Sequence, residues 1–85
     1  MTSPQKTKFE MAVIDKVTEM RRKKNLSQDE IAIILGLSRG YIGQIESPNS
    51  PSTYNINHLN RLAYELGCSP QDFMPNKPIV EEGWD

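Results

Sequence analysis

Few residues in this chain of 85 have the types and spacing that catalysis or metal binding needs. His58 is the single histidine and Cys68 the single cysteine. Neither has partners at metal-ligand spacing. His58 reads as a surface residue of a helix, and Cys68 as a small apolar filler of the core. Glu81 and Glu82 form an acidic pair, but in a tail containing Pro75 and Pro78 they read as solubilising charges. No nucleophile–base pair, phosphate-binding glycine loop or metal constellation is visible. The sequence therefore argues against an enzyme, and no cofactor or metal is expected. Binding chemistry is what remains. Arg21, Arg22, Lys23 and Lys24 run consecutively. They read either as a solvated helix end that complements the helix dipole or as a grip on phosphate, with a long-range field that aids encounter.

The charge balance bears on that choice. Formal net charge is −1 and the isoelectric point is near 5.8, which counts against nucleic-acid binding. The distribution is less hostile than the total. Residues 1–50 hold eight basic and six acidic side chains, and residues 51–85 hold two and five. Hydrophobic residues at 36% and charged residues at 25% suit one folded domain. The longest apolar run, Ile31 to Leu35, is far too short to cross a bilayer. No apolar segment follows the charges of Met1 to Lys8, so no signal peptide is expected. A lone cysteine cannot form an internal disulfide, which fits a reducing cytoplasm.

These side chains must be positioned by helices, since no segment shows strand alternation. Thr7 to Glu10 has capping-box spacing. Val13, Val17 and Met20 follow at helical intervals, with Ile14 beside them, predicting a first helix over about residues 8–24 that stops near Asn25. Ser27 to Glu30 is a second capping box, leading into Ile31, Ala32 and Leu35 before Gly36. Ser38 caps a third helix to Glu46, with Ile42 and Ile45 inward. The stretch Ser47 to Tyr54, with Pro48 and Pro51, is a loop. Asn55 or Asn57 caps a fourth helix with Ile56, Leu59, Leu62, Ala63 and Leu66 on its apolar side, closed by Gly67. Ser69-Pro70-Gln71-Asp72 starts a short fifth helix, and Phe73 and Met74 close the core. The expectation is an all-α bundle of five helices over residues 8–74, with an N-terminal arm (1–7) and a C-terminal tail (75–85).

The segments on either side of Gly36 carry the functional signal. A small side chain, Ala32, stands where two steeply crossing helices touch. Gly36 permits the tight reversal, while Ile31, Leu35, Ile42 and Ile45 hold the angle against the rest of the bundle. That geometry leaves the second helix projecting, free to enter a major groove. The run Leu26-Ser-Gln-Asp-Glu-Ile-Ala-Ile-Ile-Leu-Gly-Leu-Ser38, then Ile42, Gln44, Ile45 and Glu46, then Leu62-Ala63, Leu66-Gly67, Ser69 and Phe73, resembles the lambda repressor and Cro family, also called the xenobiotic-response-element (XRE) family, over residues 10 to 74.

The resemblance implies a lambda-repressor-like helix-turn-helix fold and a prokaryotic, cytoplasmic regulator. It implies sequence-specific binding of double-stranded DNA as a homodimer, as a repressor on a palindromic operator. Gln28 takes the family's phosphate-contact position, with capping support as the plain alternative. Ser38, Arg39, Gly40, Tyr41 and Gln44 take groove-facing positions, where arginine can bond guanine and glutamine adenine in bidentate fashion. Tyr41 equally fits packing on the scaffold. In the following loop Asn49, Tyr54 and Asn55 are candidates for uncharged phosphate contacts, among Ser47, Ser50, Ser52 and Thr53. Arg21 and Glu46 match an internal ion pair of the family.

Three features depart from the family pattern. Gly40 and Gly43 lie in the recognition helix, either to let DNA approach closely or as a sign of weak readout. The loop lacks basic residues. Ile33 and Ile34 stand at positions usually polar, and imply a patch covered by a partner protein, a second subunit or the tail. Ile79, Val80 and Trp84 of the tail are either a disordered end or a docking segment. The acidic balance, the two glycines and this patch motivate the other functional class: a protein-interaction module such as the antitoxin of a toxin–antitoxin pair.

Overall fold

A computed structural model of the chain describes residues 6–84. Four α-helices follow in order: α1 (Lys8–Lys23), α2 (Gln28–Leu35), α3 (Arg39–Glu46) and α4 (Ile56–Leu66), and a 3₁₀ turn (Pro70–Phe73) comes after them. The described residues include no β-strand. Of the expected N-terminal arm only Lys6 and Thr7 are described; the rest lies outside the described residues, as does Asp85 at the end of the tail.

Helix starts follow local chemistry. Thr7 Oγ1 accepts the Glu10 amide at 3.0 Å and the Glu10 carboxylate accepts the Thr7 amide at 2.9 Å, the reciprocal pair that satisfies two otherwise orphan donors. Ser27 and Glu30 repeat this arrangement at α2. Ser38 caps α3 through the Tyr41 amide at 3.1 Å. Asn55, not Asn57, caps α4. Stops are equally local. Gly36 adopts φ 69° and Gly67 φ 71°, left-handed conformations that are nearly free of cost only for glycine. Asn25 takes φ 58° after α1, a conformation asparagine tolerates better than most residues.

The core draws on every element. Val13, Ile14 and Val17 come from α1, Ile31 and Ala32 from α2, and Ile42 and Ile45 from α3. Leu59, Leu62, Ala63 and Leu66 come from α4, joined by Tyr54 and Phe73. Leu35, Leu37, Tyr41 and Cys68 pack partly buried around this cluster, and so does Ile34, which therefore does not share the exposed apolar patch expected of it with Ile33. The apolar periodicity of α1 and α3 therefore reaches the intended face.

Several expectations are corrected. The fifth helix is a 3₁₀ turn of four residues. Its bonds run from Asp72 N–H to the Ser69 carbonyl and from Met74 N–H to the Gln71 carbonyl, three residues back, which is as much helix as fits before the chain turns into the tail. Ile56 is not on the apolar side of α4. It is 80% exposed, because Tyr54, two residues earlier, fills the core position at that end. His58 is not a plain surface residue. Its Nδ1 accepts the Asn55 amide at 3.1 Å, closing the capping box, and its ring meets Tyr54 edge to face with centroids 6.2 Å apart. Burial holds its pKa below the ordinary histidine value.

The described residues of the tail lie against the start of α1. Pro78, Ile79, Glu81 and Trp84 line a cleft with Thr7 and Phe9. Glu81 does more than solubilise. Its two carboxylate oxygens accept the amides of Lys8 and Phe9 at 2.9 and 2.8 Å, at the start of α1. A carboxylate there satisfies free helix N–H groups and complements the positive end of the dipole. Val80 and Trp84 stay exposed.

Candidate nucleic-acid interface

The α2–α3 pair forms the candidate surface. Ile42 and Ile45 point into the core, so α3 is fixed by its inner face and shows its other face to solvent. Ser38, Arg39, Gly40 and Gln44 lie on that exposed face. Arg39 forms no ion pair among the described residues, which leaves its guanidinium free to meet a ligand. Gln44 Oε1 accepts a long hydrogen bond of 3.4 Å from the Ser52 hydroxyl, so the loop helps orient it. A Cβ built on Gly40 meets nothing within 4 Å, and one built on Gly43 meets only Gln28 Oε1 at 3.7 Å. Neither glycine is required by the packing of this chain.

Tyr41 is half-buried and packs against the core cluster, in keeping with the scaffold reading, while its backbone lies on the first turn of α3. Gln28 is turned inward as well. Its Nε2 donates to Glu46 Oε1 at 2.9 Å. Arg21 joins the same carboxylate through Nε (2.9 Å) and a terminal nitrogen (3.0 Å), and its other terminal nitrogen donates to the Leu26 carbonyl at 2.9 Å. The side chains of Arg21 and Glu46 are only 11% and 10% exposed. Burial pushes the Glu46 carboxyl upward. The hydrogen bonds from Arg21 and Gln28 and the charges of Arg21 and Arg22 outweigh it, and the pKa ends below the ordinary carboxylate value. One carboxylate thus ties α1 and α2 to the last turn of α3.

The loop expectations divide. Asn49 and Asn55 are exposed, although the Asn55 side-chain oxygen is already committed to capping α4 at 2.7 Å. Tyr54 is overturned as a surface contact. It is 6% exposed, and its hydroxyl has no hydrogen-bond partner among the described residues. Desolvation first, and the Glu46 charge second, push its pKa upward.

One residue at this site has no sequence signal. Lys6 is 5% exposed, and its Nζ donates to the carbonyls of Gln44 (3.1 Å), Ile45 and Ser47. All three ammonium protons are used at the C-terminal turn of α3, where cations suit the dipole. Burial lowers its pKa and nearby Glu10 works against that. Nothing in the spacing of Lys6 from residues 44–47, some forty positions away, points to this pairing.

A family model described as a helix-turn-helix domain matches residues 14–77, which include the whole α2–α3 pair. The chain belongs to this helix-turn-helix family. Its type is that of the XRE regulators related to Cro and lambda repressor. Among the solved structures that share the fold are two with 29% and 26% sequence identity. One is an HTH_3 family transcriptional regulator from Vibrio cholerae, with a TM-score of 0.63 and 29% identity over 76% of this chain. This helix-turn-helix chain spans 35% of that regulator's length. The other is a restriction-modification controller protein from Aeromonas hydrophila, with a TM-score of 0.61 and 26% identity over 75% of this chain and 96% of the controller. No curated protein sequence matches at a significant level. No helix among the described residues is long and apolar enough to cross a membrane, and no described cluster of acidic, histidine or cysteine residues could hold a metal ion.

Proposed function

We propose that this chain is a sequence-specific DNA-binding transcriptional regulator that inserts α3 into a major groove. The observation that carries the reading is the division of α3: Ile42 and Ile45 are fully buried, whereas Arg39 and Gln44 are exposed on the opposite side. In this reading Arg39 and Gln44 read base edges. Ser38, the bare backbone at Gly40, Asn49 and Asn55 supply phosphate or close backbone contacts. Gln28 and Tyr41 contribute from the margin of the surface, Gln28 chiefly by fixing Glu46. The two solved relatives, a transcriptional regulator and a restriction-modification controller, support this reading by their sequence identity as well as their fold.

One α3 in one groove reads few bases, so the protein acts as a homodimer on a two-fold operator with half-sites about one DNA turn apart. Its effect is repression, exerted in the cytoplasm by occupying the operator. The test is selection of bound sequences from random duplex DNA, followed by Arg39→Ala and Gln44→Ala. Both variants keep the wild-type helical spectrum and lose preference for the selected site. Retained preference in both sinks the assignment.

A second reading, the protein-interaction module, is favoured by Ile33, which stands 73% exposed on α2 with no cover from the tail described in this chain. Salt separates the two. Affinity for DNA falls steeply as salt rises, and affinity resting on an apolar face does not.

A further inference from the structure

Glu81 of the tail meets the start of α1 beside Lys6, the residue that reaches α3. The Glu81 carboxylate holds the Lys8 and Phe9 amides, Thr7 holds the Glu10 amide, and the residue just ahead of Thr7 is Lys6, whose ammonium caps the last turn of α3. The tail is thus joined through the start of α1 to the helix that carries Arg39 and Gln44. The Ser47 carbonyl, also bound by Lys6, opens the loop whose Ser52 hydroxyl reaches Gln44.

We propose that Lys6 is a positioning residue for DNA reading: it sets the C-terminal turn of α3 from outside the two-helix unit, and Glu81 of the tail holds it in place. The proposal rests on α3 being the base-reading helix. Lys6 spends its three donors on carbonyl groups and is almost fully buried, so it acts on DNA through α3 and not by touching phosphate. Two other ties, Arg21 and Gln28, act on α3 through the Glu46 side chain. Lys6 alone among the described side chains holds the main-chain carbonyls of that turn. The clasp makes operator affinity depend on a tail that lies far from the reading surface in sequence.

The test uses the full chain with Lys6→Met, which keeps most of the apolar stem and removes the ammonium, and with Glu81→Gln, which leaves one oxygen and no charge for two amides. Binding to the selected duplex and to random duplex is measured across a salt series, and amide hydrogen exchange is followed at residues 45–47. Losing charged hydrogen bonds of this kind weakens Lys6→Met binding to the selected site about tenfold or more. The preference over random duplex falls by a similar factor, exchange at 45–47 quickens, and the salt slope stays at the wild-type value. Glu81→Gln shifts the same readouts in the same direction by a smaller factor, and carries the test if Lys6→Met fails to fold.

A salt slope reduced by about one unit in Lys6→Met identifies a direct phosphate contact and overturns the proposal. So do unchanged affinity and preference. If the wild-type chain selects no duplex, the DNA reading itself has failed. The hydrogen-exchange data then decide the clasp separately, and unchanged rates at 45–47 defeat it.

Discussion

Gly40 offers a direct way to separate what folding needs from what DNA needs. The residue is exposed in the first turn of α3, and an added Cβ meets no atom within 4 Å. Its φ is not in the positive range that favours glycine. Alanine therefore enters without strain and gains helix propensity, about 0.5–1 kcal/mol. For a domain of this size that amounts to a rise in Tm of roughly 2–8 °C. The same methyl group stands on the surface assigned to the groove, where it keeps the helix backbone from closing on DNA. Gly40→Ala is therefore expected to be more stable in thermal denaturation and yet at least about tenfold weaker on the selected duplex, a binding loss near 1.4 kcal/mol. Calorimetry and fluorescence anisotropy on one preparation measure both. A Tm that falls refutes the account of α3 as an unstrained helix. A higher Tm with undiminished affinity removes Gly40 from the interface.

Tyr54→Phe deletes a buried hydroxyl that has no partner among the described residues, so denaturant unfolding should show unchanged or greater stability, and DNA affinity should not change. Arg21→Ala leaves the Glu46 carboxylate with Gln28 as its remaining side-chain partner and should cost about 3 kcal/mol at neutral pH. Because the folded pKa of Glu46 is depressed, its contribution is present above the ordinary carboxylate pKa and is lost as pH falls through the lower folded value. The wild type should lose that increment in acid, and the Arg21→Ala unfolding curve should depend less on pH there. His58 is held neutral, with a folded pKa below the ordinary 6.5. Its contribution is present above that value and is lost as pH falls through the folded one, when Nδ1 gains a proton and ceases to accept the Asn55 amide. Chemical denaturation from pH 7.5 down to about 5 should show this loss, and His58→Gln should abolish the dependence; an unaltered slope in that variant would refute the assignment.

Much of this protein was legible because helix signals are local. Thr7, Ser27, Ser38, Asn55 and Ser69 each mark a start within three residues of the amide they bind, and Gly36 and Gly67 mark stops by their own backbone freedom. Ala32, Gly36, Ile42 and Ile45 sit at spacings that suit a tight two-helix unit, so that unit was legible in the order of residues, whereas the groove-facing positions of Arg39 and Gln44 came from the family resemblance. The Arg21–Glu46 pair came from the family resemblance, and the structure places the two 2.9 Å apart.

What the sequence left open depends on which distant surfaces meet. Tyr54 and Ile56 are both apolar enough to be buried, and only the packed end of α4 decides that Tyr54 goes in and Ile56 stays out. Periodicity cannot resolve a contest between two side chains two residues apart at a helix tip. Glu81 reads as a solubilising charge and Lys6 carries no signal of its own, because a charge prefers water until the fold presents helix ends with unsatisfied carbonyl or amide groups. Those helix ends lie about forty and seventy positions away in the chain. No pattern in a linear sequence states that proximity; only the tertiary arrangement of α1, α3 and the tail creates it.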